Sequence, residues 1–230
     1  MSERSLYRHV YMLIIPSILV FSKKEFKKQI KTAENTVAMI QIDLSDGAFT
    51  PRATWAYLKP KPARKYLKKI DFELHLMVTD PLKIIKDWAD HPRLKRVLFH
   101  YETAADPVAL AAEIKAKNLA VGLVLSPETD LNLIRPSVDQ FNLIMLMGVR
   151  PGAQGQEFIP QTIERIKQIR ASFRTILISV DGGVNEKTIL PIVQAGADIV
   201  CPGSAVFGND RSPAENISRL KKLINLTDKT

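Results

Sequence analysis

The chain has 230 residues, of which 46% are apolar and 25% are charged. This length suits one large α/β domain, and the apolar content excludes a disordered chain, which could not bury a core. The formal net charge is +9, but the lysines and arginines are spread along predicted helices beside apolar residues. That spread is typical of solvated helix faces, so we expect no nucleic-acid partner.

The single cysteine, Cys201, cannot form an internal disulfide, which is typical of proteins in a reducing cytosol. The apolar run over residues 10–21 contains Pro16 and Ser17, and it is shorter than the roughly 20 residues that a membrane-spanning helix needs. We interpret this run as a buried strand, not as a signal peptide. The sequence therefore predicts a cytoplasmic protein with no targeting segment and no membrane partner.

Short runs rich in Ile, Val and Leu alternate with longer amphipathic segments along the chain. Such runs are typical of parallel strands that are buried on both faces. The predicted strands cover residues 12–19, 38–43, 72–78, 96–100, 120–125, 143–147, 176–180 and 199–201.

The segments between these runs carry helix start signals, such as a capping serine or an Asp-Pro pair. The predicted helices cover residues 23–32, 81–89, 107 onward, 161–171, 185–195 and 213–224. Strands that alternate with helices in this way predict an α/β fold, a single (β/α)8 TIM barrel over residues 1–230. A doubly wound dinucleotide-binding sheet is disfavoured, because no Gly-x-Gly-x-x-Gly follows the first strand.

Titratable side chains stand at the ends of three predicted strands, where a barrel builds its active site. Asp43 follows an apolar strand, His75 alternates with leucines on the next strand, and Asp181 ends the seventh. A carboxylate at the end of an apolar strand needs a partner, because burying it alone is costly. A histidine beside it is a common metal ligand. We therefore expect these three side chains to meet.

Glycine-containing turns follow the last two predicted strands, at Gly182-Gly183 and at Gly203-Ser204. Glycine lets a backbone approach a ligand closely, and these two loops are the recurrent phosphate site of barrels. We expect the helix predicted from Asn185 to add its free N–H groups. The long loop over residues 147–158 is placed to cover a ligand as a lid.

Several short motifs are similar to those of ribulose-phosphate 3-epimerases, in order and at the same spacing. They are Pro16-Ser17-Ile18-Leu19, Asp43-x-x-Asp46-Gly47-x-Phe49-x-Pro51, His75-Leu76-Met77-Val78, His100-x-Glu102, Met147-x-Val149-x-Pro151-Gly152, Gly155-Gln156-x-Phe158, Val180-Asp181-Gly182-Gly183-Val184, Ala195-Gly196-Ala197-Asp198 and Gly203-Ser204-Ala205-x-Phe207. The chain thus resembles this family from Ile15 to Phe207.

The resemblance implies interconversion of D-ribulose 5-phosphate and D-xylulose 5-phosphate, with Asp43 and Asp181 as the two proton-transferring residues. It implies a divalent cation (zinc, iron or manganese) held by these two aspartates and two histidines, of which His75 matches one. The implied substrate-binding residues are Ser17, Met77, Gly152, Gly155, Gln156, Gly182, Gly183, Gly203 and Ser204. A homo-oligomer is also typical of the family.

The chain departs from the family pattern inside the site. Gln41 stands where the second metal-binding histidine is expected, and a glutamine oxygen is a poor ligand for zinc or iron beside imidazole. Gln41 therefore predicts weakened or lost metal binding, and Ser45, in place of a methionine, predicts a more polar pocket. Two interpretations stay open: an epimerase with altered metal use or substrate, or a non-catalytic barrel that binds a sugar phosphate.

Overall fold

The sheet is built from short strands, each parallel to its neighbours. The computed structural model describes residues 12–153 and 155–225. Within those ranges the strands are β1 (Leu13–Ile14), β2 (Ser17–Ile18), β3 (Met39–Ser45), β4 (Asp71–Met77), β5 (Leu94–His100), β6 (Ala120–Leu125), β7 (Leu143–Met147), β8 (Leu177–Asp181) and β9 (Ile199–Cys201).

The first predicted strand closes the sheet into a barrel by pairing with both of its ends. Its first half, β1, pairs with β9, and its second half, β2, pairs with β3. Pro16 separates the halves because it has no N–H for a ladder hydrogen bond. Its carbonyl still accepts from the N–H of Gln41 at 3.0 Å, and Ser17 N–H donates to Pro202 O at 3.2 Å.

Helices flank the barrel on its outer side. They are α1 (Lys23–Ala33), α2 (Trp55–Leu58), α3 (Pro60–Arg64), α4 (Pro81–Trp88), α5 (Pro107–Lys115), α6 (Gln161–Ser172), α7 (Ile189–Gln194), α8 (Ser204–Phe207) and α9 (Pro213–Asn225), with 3₁₀ segments at Tyr101–Thr103 and Leu131–Gln140. None of the helices in the described part of the chain has the length and apolarity needed to cross a bilayer.

The sequence-based elements agree with this architecture, and the fold class is confirmed. Each predicted apolar run overlaps a strand, although residues 10 and 11 of the run over 10–21 lie outside the described residues. The helix predicted over 185–195 is wrong at its start, since α7 begins at Ile189. The Asn185 carboxamide oxygen accepts from the N–H groups of Lys187 and Thr188, at 2.8 and 3.3 Å, and so caps the turn that leads into α7.

Strand alternation divides the side chains between two layers. One face packs against the helices, with large side chains such as Phe72 and Trp88 fully buried. The other face fills the barrel with a smaller apolar cluster around Leu98, Val124 and Met145. The barrel interior also holds polar side chains contributed by β3, β4, β5 and β8, and these build the site.

The N-cap of α5 provides a test of the helix assignments. The Asp106 carboxylate accepts from the N–H groups of Val108 and Ala109, both at 3.0 Å. We expect Asp106→Ala to lower the free energy of unfolding by about 1 kcal/mol, because two N–H groups lose their acceptor. Asp106→Asn keeps a side-chain oxygen and serves as the matched control, with most of the stability retained. Urea unfolding measures both, and equal losses in the two variants would contradict the capping role.

Candidate functional site

Two carboxylates from opposite parts of the barrel meet at one histidine. Asp43 and His75 are register partners on β3 and β4, while Asp181 ends β8. His75 Nδ1 lies 3.1 Å from Asp43 Oδ1 and 3.2 Å from Asp181 Oδ2. All three residues are buried, with 0% exposure for His75, 5% for Asp43 and 6% for Asp181. The expected meeting of these side chains is thus present in the structure.

Gln41 joins this cluster from β3, two residues before Asp43. Its Nε2 donates to Asp43 Oδ1 and to Asp181 Oδ2, both at 2.8 Å, and lies 3.4 Å from His75 Nδ1. Its Oε1 is buried and has no hydrogen-bond partner among the described residues. One amide N–H₂ group therefore links two like-charged carboxylates, whose mutual repulsion is otherwise unfavourable in a buried site.

A second histidine extends the cluster away from the carboxylates. His75 Nε2 lies 3.0 Å from His100 Nε2, and the two rings stack at 5.1 Å between centroids. His100 Nδ1 in turn lies 3.2 Å from Glu102 Oε2. The other Glu102 oxygen accepts from Ser126 N–H at 2.9 Å and from the Thr129 hydroxyl. Glu102 is therefore fixed by its own partners and orients the histidine pair.

This chain of contacts determines the direction of each hydrogen bond. Hydrogen bonds from His100, Thr129 and Ser126 outweigh burial and lower the pKa of Glu102 to about 2, so its carboxylate is an acceptor. Burial lowers the pKa of His100 to about 4, so the ring is neutral and donates only through Nδ1–H. His100 Nε2 then accepts from His75 Nε2–H. His75 Nδ1 is the atom left to face Asp43 and Asp181.

The charges of the carboxylates control the protonation of His75. Burial alone would lower its pKa, but hydrogen bonds and charges from Asp181 and Asp43 raise the pKa of His75 to about 10. Burial and the charge of Asp181 also raise the pKa of Asp43 above its usual value. At neutral pH without a cation, His75 therefore carries a proton on Nδ1, between the two carboxylates.

The donor set fits a divalent cation. One oxygen each of Asp43 and Asp181 and one nitrogen of His75 lie within 4.8 Å of one another. Two buried carboxylates leave negative charge that a cation would balance, and imidazole with carboxylate ligands suits several divalent metals. These three residues therefore form a candidate divalent metal site. Gln41 lies beside it, so its predicted effect on metal binding depends on which amide atom faces the cluster.

A cavity above the cluster collects the residues expected to bind substrate. Both Asp43 and Asp181 line it, together with Ser17, Met77, Gly152, Gly155, Gln156, Gly182, Gly183, Gly203 and Ser204. Its other walls are Leu19, Met147, Val149, Pro151, Ala153, Val184 and Cys201. No lysine or arginine of the described chain is among these lining residues, so an anion there has to be bound by N–H groups and hydroxyls.

The two glycine turns have backbone N–H groups that could bind such an anion, and the first turn depends on glycine. Gly182 and Gly183 have φ of +93° and +70°, and a Cβ at Gly183 would lie 2.8 Å from the Phe158 Cα. A side chain is therefore excluded there both by strain and by contact. No hydrogen bond within the described residues uses the N–H groups of Gly183, Gly203 or Ser204. These N–H groups are available to an oxyanion.

Two further expectations are not met in the structure. Ser45 does not line the cavity, and its fully buried hydroxyl donates to Arg52 O at 2.8 Å and contacts the Thr50 hydroxyl. The prediction of a more polar pocket from Ser45 is therefore wrong, because this hydroxyl fastens the loop after β3. The expected helix N-terminus at Asn185 is also wrong, since those N–H groups are used in the Asn185 turn.

Residues 149, 151–153, 155 and 156 of the loop after β7 line the cavity, which is the position expected of a cover over a ligand. Gln156 is on the cavity wall, and its Nε2 donates to Arg150 O at 2.7 Å and to Ala153 O at 2.9 Å. A Cβ on Gly152 would lie 2.9 Å from the Thr50 Cβ, so this loop packs closely against the loop after β3. The Gln156 amide therefore holds together two parts of this loop by hydrogen bonds to its backbone.

His100 and Glu102 are the functional candidates to which sequence reasoning gave no role. They belong to a motif that resembles the family, but the residues alone did not indicate what they contact. His100 stands two residues after Leu98 on β5, so strand alternation places both inside the barrel. Strand alternation alone could therefore have predicted that His100 faces the barrel interior.

The chain is similar to a known family over most of its length. A model described as the ribulose-phosphate 3 epimerase family matches residues 13–207. The ribulose-phosphate 3-epimerase of Schizosaccharomyces pombe is 30% identical over 220 residues, which cover 94% of this chain and 96% of that protein. The enzyme of the same name from Bacillus subtilis is 32% identical over 219 residues, covering 87% and 95%.

Solved structures with the same fold are more distant in sequence. An orotidine 5'-phosphate decarboxylase from Pyrococcus horikoshii superimposes with a TM-score of 0.64 at 16% identity, covering 93% of this chain and 99% of that chain. A mutant tryptophan synthase alpha-subunit from Pyrococcus furiosus gives 0.66 at 15% identity, covering 93% and 97%. At this identity the likeness concerns the barrel fold alone.

The protonation of His75 predicts proton release when a divalent cation binds. Its pKa of about 10 lies above the usual 6.5, so the metal-free protein holds this proton through neutral pH. We expect about one proton to be released per cation, and the affinity to rise up to about tenfold per pH unit between pH 6.5 and 10. The same proton stabilises the metal-free fold fully below pH 6.5, and this contribution is lost as the pH rises towards 10.

Calorimetric titrations with Mn²⁺ in two buffers of different ionisation enthalpy measure the released protons. His75→Asn is the control, because it removes the titrating ring and should abolish the release. Binding to the unaltered protein without proton release would contradict the assignment of His75 Nδ1 as a ligand atom.

Proposed function

The chain belongs to the ribulose-phosphate 3-epimerase family, and on that premise we propose that it interconverts D-ribulose 5-phosphate and D-xylulose 5-phosphate. The observation that carries the proposal is the pair of buried carboxylates, Asp43 and Asp181, that line one cavity from different sides of the barrel. Inversion at one carbon needs a proton to leave on one face and another to arrive on the opposite face.

In the proposed reaction, one aspartate removes the proton from carbon 3 and the other returns a proton to the opposite face. The carbon is weakly acidic because it stands next to a carbonyl, so its base has to be positioned and the enediolate stabilised. In the site without a cation, burial and the charge of Asp181 raise the pKa of Asp43 above its usual value, which favours a carboxyl group that can return a proton. In the reverse direction the two aspartates exchange roles.

Other residues keep these two carboxylates in place. His75 contacts both, and its orientation is set by His100 and Glu102. We propose that Asp43, His75 and Asp181 hold a divalent cation, with zinc, iron and manganese as the candidates. When bound, such a cation supplies a Lewis acid for the enediolate oxygens. His100 and Glu102 do not line the cavity and contact the cluster through His75, so we assign them as positioning residues.

We propose that the glycine turns after β8 and β9 bind the phosphate. Their unused N–H groups and the Ser204 hydroxyl provide donors without a charged side chain. The phosphate is remote from carbon 3, so its binding energy orients the reacting carbon between the aspartates. Ser17 and Met77 line the same cavity and complete the proposed substrate-binding wall, and the loop over residues 148–158 excludes water above it.

The two-aspartate mechanism makes an asymmetric prediction for single variants. We expect Asp43→Asn and Asp181→Asn each to lower interconversion by at least about 10²-fold, because one of the two proton transfers is lost. The aspartate that remains can still remove the proton from one epimer. Each variant should therefore still incorporate deuterium at carbon 3 of one epimer. The epimer that exchanges should differ between Asp43→Asn and Asp181→Asn.

Proton nuclear magnetic resonance in deuterated water measures this exchange with each epimer separately. The cation content of each variant is determined in parallel, since asparagine keeps one oxygen ligand. Asp46→Asn, at an aspartate that caps the loop after β3, is the control for general effects. Sugar-phosphate binding by the unaltered protein without any exchange would instead indicate a non-catalytic barrel, the alternative left open by Gln41.

The phosphate assignment predicts a binding defect at Gly183. A Cβ there would lie 2.8 Å from the Phe158 Cα, and φ is +70°. We expect Gly183→Ala to raise KM and the inhibition constant of inorganic phosphate by at least about tenfold, because the turn has to move. Gly196→Ala is the matched control, since Gly196 also has positive φ, +109°, but does not line the cavity. Equal KM values in the two variants would contradict the assignment.

A further inference from the structure

The terminal amide of Gln41 occupies one corner of a preformed coordination shell. Its Nε2 lies 2.8 Å from Asp43 Oδ1, 2.8 Å from Asp181 Oδ2 and 3.4 Å from His75 Nδ1. His75 Nδ1 lies 3.1 and 3.2 Å from the same two oxygens. Ligand atoms about 2.1 Å from a cation are about 3.0 to 3.4 Å from one another in octahedral or tetrahedral geometry. The three distances to His75 Nδ1 fall in this range, and the two from Gln41 Nε2 to the carboxylate oxygens are about 0.2 Å shorter.

Without a cation the amide has to face the carboxylates with its nitrogen, because only N–H groups can donate to them. With a cation the requirement is reversed, because the amide nitrogen has no lone pair to offer and the amide oxygen has. Rotation of the terminal amide by a half turn exchanges the two atoms without changing the shape of the side chain. Gln41 can therefore serve both states from one position.

The rotation gives up the two hydrogen bonds from Gln41 Nε2 to the aspartates, and a bound cation would replace them as the partner of those oxygens. Gln41 Oε1 has no hydrogen bond, so turning it inward breaks none on that side. Glu73 is the register partner of Gln41 on β4, and its buried Oε1 also lacks a donor. Because buried oxygens without partners are uncommon, we infer that Glu73 Oε1 accepts from the Gln41 N–H₂ group in the rotated state.

We propose that Gln41 Oε1 is the fourth protein ligand of the cation and that it shifts the site towards hard cations, Mn²⁺ and Mg²⁺, and away from Zn²⁺. The inference rests on the proposed divalent-cation site. With Gln41 the donor set is three oxygens and one nitrogen. A histidine in its place would give two of each, and imidazole favours zinc whereas carbonyl and carboxylate oxygens favour magnesium and manganese.

The predicted quantity is a ratio of affinities, because zinc binds a given set of nitrogen and oxygen ligands more tightly than manganese does. We expect Gln41→His to increase the Zn²⁺-over-Mn²⁺ affinity ratio by at least about tenfold. We expect Gln41→Leu to lower the Mn²⁺ affinity by about 10- to 100-fold, since one ligand is lost. Gln41→Glu keeps an oxygen donor and should retain the Mn²⁺ affinity or increase it.

The measurement is calorimetric or chelator-competition titration of the metal-free full chain with Mn²⁺, Mg²⁺ and Zn²⁺ salts. Gln29→Leu is the matched control, because Gln29 on α1 also has a buried, unpartnered Oε1 and does not line the cavity. It should leave all three affinities unchanged. Thermal unfolding establishes that each variant folds. If Gln41→His does not fold, the Mn²⁺ affinities of Gln41→Leu and Gln41→Glu still test whether Gln41 is a ligand.

The proposal is overturned if Gln41→Leu binds Mn²⁺ as tightly as the unaltered protein, or if Gln41→His changes the affinity ratio by less than about twofold. The carbon 3 exchange assay separates this outcome from the proposed function. Gln41-dependent Mn²⁺ binding without exchange by the unaltered protein rejects the epimerase and keeps the fourth ligand. Exchange that accompanies Gln41-independent binding keeps the epimerase and rejects the fourth ligand.

Discussion

The repulsion between two buried carboxylates is the constraint around which this barrel interior is organised. Asp43 and Asp181 come close enough to share Gln41 Nε2, and neither is exposed enough for water to screen its charge. Two donors face these carboxylates, the Gln41 amide from β3 and the protonated His75 ring from β4. Behind His75 lie the neutral His100 ring, at the end of β5, and the Glu102 carboxylate, which accepts from it. The proposed proton transfer and the proposed cation site both depend on this pair of buried charges, and the polar side chains of the barrel interior surround the same pair.

Much of the fold and half of the site could be predicted, because both depend on local periodicity. Short apolar runs fix the strands, alternation fixes which side chains face inward, and parallel strands bring all their carboxyl ends to one rim. Those rules were enough to bring Asp43, His75 and Asp181 together and to place the glycine turns near them. The resemblance to a family added the substrate-binding wall and the reaction, neither of which the residue pattern carried alone.

The remainder depends on which hydrogen bonds compete, and this is not visible in a linear pattern. Asn185 has the composition of a helix start, and its side chain caps the turn before α7, so two N–H groups that were expected to face an anion are already bonded. Strand alternation directs Ser45 towards the barrel interior, but its hydroxyl is bonded to the Arg52 carbonyl and the Thr50 hydroxyl of the following loop. For Gln41 the sequence indicated only a lost histidine. The orientation of its amide depends on Asp43 and Asp181, which accept from its nitrogen and leave its oxygen without a partner. The sequence pattern does not contain that information.

The split first strand has a consequence for how the chain reaches its native state. Its first half, β1, pairs with β9, and its second half, β2, pairs with β3. Closing the barrel therefore joins segments that are far apart in the sequence. The Ser17 hydroxyl, for example, lies 3.5 Å from the carbonyl oxygen of Cys201, 184 positions later. During synthesis β1 is made long before β9, so the edge of β1 that pairs with β9 has no partner strand until then. Such non-local pairing is slow, and an unpaired edge is prone to association with other chains. The N–H groups of Leu13, Ile15 and Ser17 face that edge, so they stay without strand partners until β9 is made.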